Sequence, residues 1–179
     1  MDLGRTALRL VIGPLFVGHG TQKLFGWFGG HGLDGTGAFF EQLGLKPGKR
    51  HATGAGAAEA VGGALLTLGA LTPVAAGLIT GTMITAIRKV HAEKGPWVTN
   101  GGYEYNAVLI AAALLIAEEG PGPISLDAVL GTERKGARWA VGALALAAAA
   151  STATIEMGRR NAPAAPAKAP DVAEPAPVV

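Results

Sequence analysis

Between Ala60 and Ile87 the chain runs for 28 residues without Asp, Glu, Lys, Arg or His. A helix needs only about 20 apolar residues to cross a hydrocarbon layer of about 30 Å. The run is long enough for one crossing and too long for a surface element. Inside it, Gly69-Ala70-Leu71-Thr72-Pro73 is a turn signal, because Gly accepts a left-handed backbone and Pro favours a new helix start. The spacing therefore predicts two antiparallel helices, about 51–70 and about 73–93.

Three further apolar stretches extend this pattern. Residues of about 5–27 open with Arg5 and Arg9 and contain Pro14, which a membrane helix tolerates when neighbours re-satisfy the backbone. Tyr103–Ala117 is short for a crossing, so tilt or local thinning must compensate. Trp139–Ile155 is uncharged over 17 residues and is closed by Glu156 and Arg159-Arg160. Only 16% of the 179 residues are charged, against roughly 25% in soluble domains. The expected fold is an all-α, multi-pass transmembrane four-helix bundle, with 139–155 as a candidate fifth C-terminal transmembrane helix. Mean hydropathy of +0.34 understates this body, since Asn161–Val179 alternates Ala and Pro and reads as a disordered tail. No cleavable signal peptide is expected, because the first apolar stretch runs on too long.

The loops and small residues add detail. In the 29–50 connection, Phe39, Phe40, Leu43 and Leu45 suit a short interfacial helix, or else a plain solvent loop. The 95–102 connection carries Trp97 and a Gly pair, with the same two readings open. Gly54, Ala58 and Gly62 repeat at four, and Gly77 with Gly81 makes GxxxG, so close helix approach is expected on those faces.

Several function classes fall away. A net charge of +2 is too balanced for nucleic-acid binding. The chain has no Cys, which removes disulfides, Fe–S clusters, thiolate zinc and CxxC chemistry. Four His at 19, 31, 51 and 91 have no metal-ligand spacing, so no metal site is expected. Walker, GxSxG and HExxH motifs are missing as well.

What remains is a set of ionisable groups inside apolar lengths, each costing about 2.5–3.5 kcal/mol on an insertion scale and each a functional candidate. Call the side reached by the end of the first helix side B, and the opposite one side A. His19 and Lys23 share one face near that end. Glu59, the lone carboxylate of the second helix, lies at a similar depth to His19, about 12–14 Å. The third helix returns to side B with Arg88 and His91, and the fourth leaves it with Tyr103, Glu104 and Tyr105. These groups converge on one half of the bundle, while the uncharged turn at side A promises nothing comparable. Glu59 must pair with Lys23, Arg88 or His19, or else stay neutral. The cluster is either a site or a structural ion pair, and the tyrosines fit an aromatic belt as well as a site.

The segments LRLVIGPLFVGHGTQKLFGWFGG, AEAVGGALLTLGALTPVAA, VHAEKGPWVTNGGYEYNAVL and GPGPISLDAVLG resemble the DoxX family of membrane proteins over about 5–131. The resemblance implies a DoxX-like four-helix domain at 1–131. A linker with the candidate fifth helix at 132–160 and the tail at 161–179 lie outside that pattern. It also implies a cell-membrane component of a quinone-linked or oxidative-stress oxidoreductase assembly. His19, Gln22, Lys23, Glu59, Gly102, Tyr103 and Glu104 take family-motif status from it. In that reading His19 and Glu59 exchange protons, Lys23 or Arg88 stabilises developing negative charge, and Gln22, His91, Tyr103, Glu104 and Tyr105 surround a quinone. Its partners would be the lipid bilayer, soluble redox proteins and further copies of the chain. Two rivals stand beside it: a non-catalytic scaffold docking soluble partners, and a small transporter, which lacks an inverted repeat. With four spans, basic residues are shared equally between the two sides. A fifth would add Arg159, Arg160 and Lys168 to side B.

Overall fold

The uncharged run does fold as two antiparallel helices, and the turn between them shows why. In the computed structural model, which describes residues 3–161, Gly69 caps the first helix in the left-handed region (φ 63°). Leu71 follows, also left-handed (φ 45°), and Pro73 sits at the start of the second helix, where no backbone N–H is required. Residues 162–179, nearly all of the expected Ala/Pro tail, lie outside the described residues.

The described chain is all helical. Long helices α1 (Leu3–Phe25), α3 (Gly48–Leu68), α4 (Thr72–Ala86), α5 (Glu104–Glu119) and α7 (Ala137–Arg160) form the body, with short α2 (Gly32–Gln42) and α6 (Leu126–Val129) in connections. A π-helical turn, Ile87–His91, and a 3-10 turn, Ala92–Lys94, carry α4 on towards side B. The 29–50 connection thus contains the expected short helix, α2, but Leu45 beyond it is buried and not laid on a surface. By length and composition, one helix among the described residues, α7, can cross a membrane unaided. α4 and α5, at 15 and 16 residues, are shorter than a crossing requires on their own.

Glycine sets the closest packing, though not at the positions the repeat suggested. A Cβ on Gly20 would stand 2.5 Å from the Gly56 carbonyl oxygen, and one on Gly63 would stand 2.5 Å from that of Gly13. The Gly13–Gly63 and Gly20–Gly56 pairs are seven residues apart on both helices, which fixes an antiparallel α1–α3 register with the backbones nearly touching. Gly54 has open space around it, and Gly62 faces Leu78 and Ile79 of α4. The Gly77–Gly81 face of α4 receives Ala143 and Ala147 of α7. α7 buries Ala140, Ala143, Ala147, Ser151 and Gly158 along one stripe and leaves Val141, Leu144 and Leu146 exposed.

Side A corrects the expectation of a featureless end. Arg9, 2% exposed, donates to the carbonyls of Leu66 and Thr67 (3.0 Å each) at the end of α3. It also donates to Pro121 and Ile124 in the connection after α5. Asp127, 3% exposed, accepts from the N–H groups of Leu71 (3.0 Å) and Thr72 (3.1 Å) and from the hydroxyls of Thr72 and Thr132. One cation thus satisfies the orphan carbonyls ending α3, and one anion the orphan N–H groups starting α4. The 120–138 connection is therefore partly an interior element. Burial alone would raise the Asp127 carboxyl; the hydrogen bonds from Thr72, Leu71 and Thr132 outweigh it and hold the group below its usual range.

Candidate functional site

Towards side B lies a half-open cleft of about 730 Å3, lined by residues of α1, α2, α3, α4, α5 and α7. Its walls are largely apolar, including Ile12, Phe16, Leu78, Met83 and Leu109. Polar groups enter at a few points, the composition expected of a pocket that takes an apolar ligand and orients it.

The principal polar feature is an ion pair. Lys23 Nζ of α1 donates to Glu59 Oε2 of α3 at 2.6 Å. The Glu59 side chain is 6% exposed and that of Lys23 25%, so the pair is desolvated from the carboxylate side. The Gly20–Gly56 contact next to it brings α1 and α3 close enough for the short bridge. His19 lines the same cleft, more exposed, one turn before Lys23. From the opposite wall come His91 and Tyr105, the latter 52% exposed. His91 Nδ1–H donates to the Gly101 carbonyl oxygen at 2.6 Å, which leaves Nε2 as the ring's remaining polar atom.

The other expected site residues stand elsewhere. Arg88 turns towards α7 and donates to Ser151 Oγ (3.3 Å) and Thr152 Oγ1 (3.0 Å). Glu104 accepts from the Val98 N–H at 2.7 Å and so closes the 95–102 connection, whose Gly102 packs against Gly95 and Pro96 and does line the cleft. Gln22 donates weakly to the Phe28 carbonyl (3.4 Å). Gln22, Arg88, Tyr103 and Glu104 are not among the cleft-lining residues. Helical periodicity explains the split between Arg88 and Lys89. Lys89 continues the helical face of Thr82, Thr85 and Ala86 that lines the cleft, while Arg88, one residue and about 100° away, faces α7.

The structure adds residues that the sequence reading passed over. Asn106, 7% exposed in the first turns of α5, lines the cleft and donates to Met83 Sδ at 3.2 Å. A lone amide inside an otherwise apolar helix was its available signal. Arg50, His51 and Lys89 line the cleft near side B. Among the described residues, no group of His, Asp and Glu is placed to hold a metal ion.

A family model described as DoxX matches residues 4–92, about half of the chain. The chain belongs to the DoxX family. The match spans α1, α2, α3, α4 and the π turn, and it contains both partners of the Lys23–Glu59 pair. Tyr103, Glu104, Tyr105 and Asn106 lie beyond it. DoxX is a membrane-associated family, and a lipid environment accords with the apolar side chains exposed on every long helix. No curated protein and no solved structure matches the chain significantly.

Proposed function

We propose that this DoxX chain is a multi-pass cell-membrane protein that serves a quinone-linked redox assembly, its side-B cleft receiving the quinone. The observation that carries the reading is the Lys23–Glu59 pair, buried at one wall of an otherwise apolar cleft. Such a pair is costly to bury, and it repays that cost when it moves protons or stabilises charge. Multi-pass insertion is supported by Leu10, Val11 and Leu15 on α1, Val61 on α3, Val74 on α4 and Val108 on α5, all exposed. Left in water, these would be a large apolar surface.

The residues present fit a quinone: the walls are apolar and the polar groups are confined to a few positions. A quinone bound there would supply a carbonyl pair that takes up electrons together with protons, the electrons coming from a redox partner. Glu59 and His19 exchange the protons, Lys23 holds negative charge, and Tyr105 and His91 close the opposite wall. Gln22, Arg88, Tyr103 and Glu104 drop out of the scheme, since none of them lines the cleft. The test is quinone binding by purified full-length chain in lipid, followed in Glu59→Gln. Binding that weakens in the variant while the melting temperature holds supports the site. Absence of binding in every lipid tested removes the quinone role.

One observation favours a second reading, a scaffold that docks soluble partners. The same Lys23–Glu59 bridge ties α1 to α3 as Arg9 and Asp127 tie the other end. Under that reading Glu59→Gln loses stability and assembly activity in parallel.

A further inference from the structure

The carboxylates near side B are largely engaged. Asp34 pairs with Lys49, Glu59 with Lys23, and Glu156 with Arg159 and Arg160. Glu41 accepts from the Gly48 N–H, and Glu104 from the Val98 N–H. Among the described residues, neither Arg50 nor Lys89 has an ion pair or a side-chain hydrogen bond, yet both line the cleft. Lys89 Nζ lies 4.0 Å from where a Cβ on Gly44 would stand, while His51 Nε2–H donates to the Lys46 carbonyl oxygen (3.3 Å) two residues further on. Gly158 of α7 packs on the same Gly44–Lys46 segment. The mouth of the cleft therefore presents two uncompensated cations and an imidazole where α3, the end of α4 and α7 meet. Among the described residues, Glu59 is the only carboxylate in its lining, and Lys23 already holds it.

We infer that this mouth is a binding site for an anionic membrane lipid, its phosphate held by Arg50 and Lys89 and its acyl chains laid along the apolar walls. The charge complementarity selects the occupant: an apolar groove alone would take any lipid, while unpaired cations at its rim favour a negative head group. Basic pockets between helices near a membrane surface recognise anionic head groups by this arrangement. The site shares the cleft with the proposed quinone position but uses different polar residues, and it requires only that the bundle sit in a bilayer.

The test is native mass spectrometry of the full chain, released from micelles holding equal phosphatidylglycerol and phosphatidylcholine with identical acyl chains. Each cation near an anionic head group is worth about fivefold, so the wild type should prefer phosphatidylglycerol by roughly tenfold or more. The double variant Arg50→Gln/Lys89→Gln should fall to near parity with its melting temperature kept. Removing equal charge outside the cleft, in Lys94→Gln/Arg134→Gln, should leave the preference intact. Equal occupancy in the wild type, or a preference that survives the double variant, overturns the inference. So does equal loss in the control, and so does full displacement by millimolar inorganic phosphate, which would mark a free-anion site. Quinone binding measured in phosphatidylcholine alone should be unchanged in the double variant, so the two proposals fail separately.

Discussion

Replacing Gly20 by Ala tests whether backbone contact between α1 and α3 holds the bundle, and it has a built-in control two residues away. The new methyl carbon would lie 2.5 Å from both the Gly56 carbonyl oxygen and the Ala60 nitrogen. Favourable contacts of this kind sit near 3.5 Å, and the obstructing atoms are backbone that cannot rotate aside. α1 must therefore back away from α3 by roughly 0.5–1 Å, forfeiting a quarter to a half of the contact energy along the seam. Overpacking of this kind costs about 1–3 kcal/mol. Ala returns up to about 1 kcal/mol through its better helix propensity. The net expectation is a loss of about 1–2 kcal/mol. Gly18 lies in the same helix with nothing within 4 Å of its Cβ position, so Gly18→Ala should gain up to about 1 kcal/mol. The assay is reversible unfolding of both variants in mixed micelles, read by circular dichroism. A stability for Gly20→Ala within about 0.5 kcal/mol of that for Gly18→Ala would refute the close-contact reasoning.

Other outcomes follow from the same structure. Lys23→Met strands a buried carboxylate and should cost about 3–5 kcal/mol, whereas Lys23→Met/Glu59→Met should be close to neutral; equal losses in the two would show that the pair is not the unit. Arg9→Met leaves the carbonyls of Leu66 and Thr67 without their donor, and unfolding should come about 2–4 kcal/mol earlier, each stranded group costing about 1–3 kcal/mol. Because the Asp127 carboxyl is held below its unfolded value, it contributes stability above about pH 4 and loses it as pH falls through the folded value. An acid melt of Asp127→Asn should therefore be shallower below that point; an unchanged profile would count against the capping role. With α7 as a fifth crossing, Lys46, Lys49, Arg50, Lys89, Lys94, Arg159 and Arg160 stand on side B against Arg5, Arg9, Arg134, Lys135 and Arg138 on side A. For a bundle that spans a membrane in the proposed way, the positive-inside rule predicts that the cleft opens towards the cytoplasm. Since the native chain has no Cys, a single Cys at Thr132 should react with an impermeant maleimide from outside intact cells and one at Asn100 should not; the reverse pattern inverts the topology.

Linear pattern determined the helices of this protein and the two ends of its site. An uncharged run broken by Gly69 and Pro73 leaves the backbone few choices, because turn chemistry and apolar length are properties of adjacent residues. The Lys23–Glu59 pairing was legible too, as one of three partners open to a lone carboxylate at that depth. Tertiary structure alone decided which glycines touch. Gly13, Gly20, Gly56 and Gly63 form the seam while Gly54 does not, since a helix face acquires a neighbour only when the bundle assembles. The partner of Arg88 was equally invisible: it bonds Ser151 of α7, while Lys89 next to it lines the cleft. Arg9 and Asp127 show the same principle at side A. They stand 118 positions apart in the chain and become the caps of two consecutive helices because unsatisfied backbone groups at a buried turn must find partners wherever the fold supplies them.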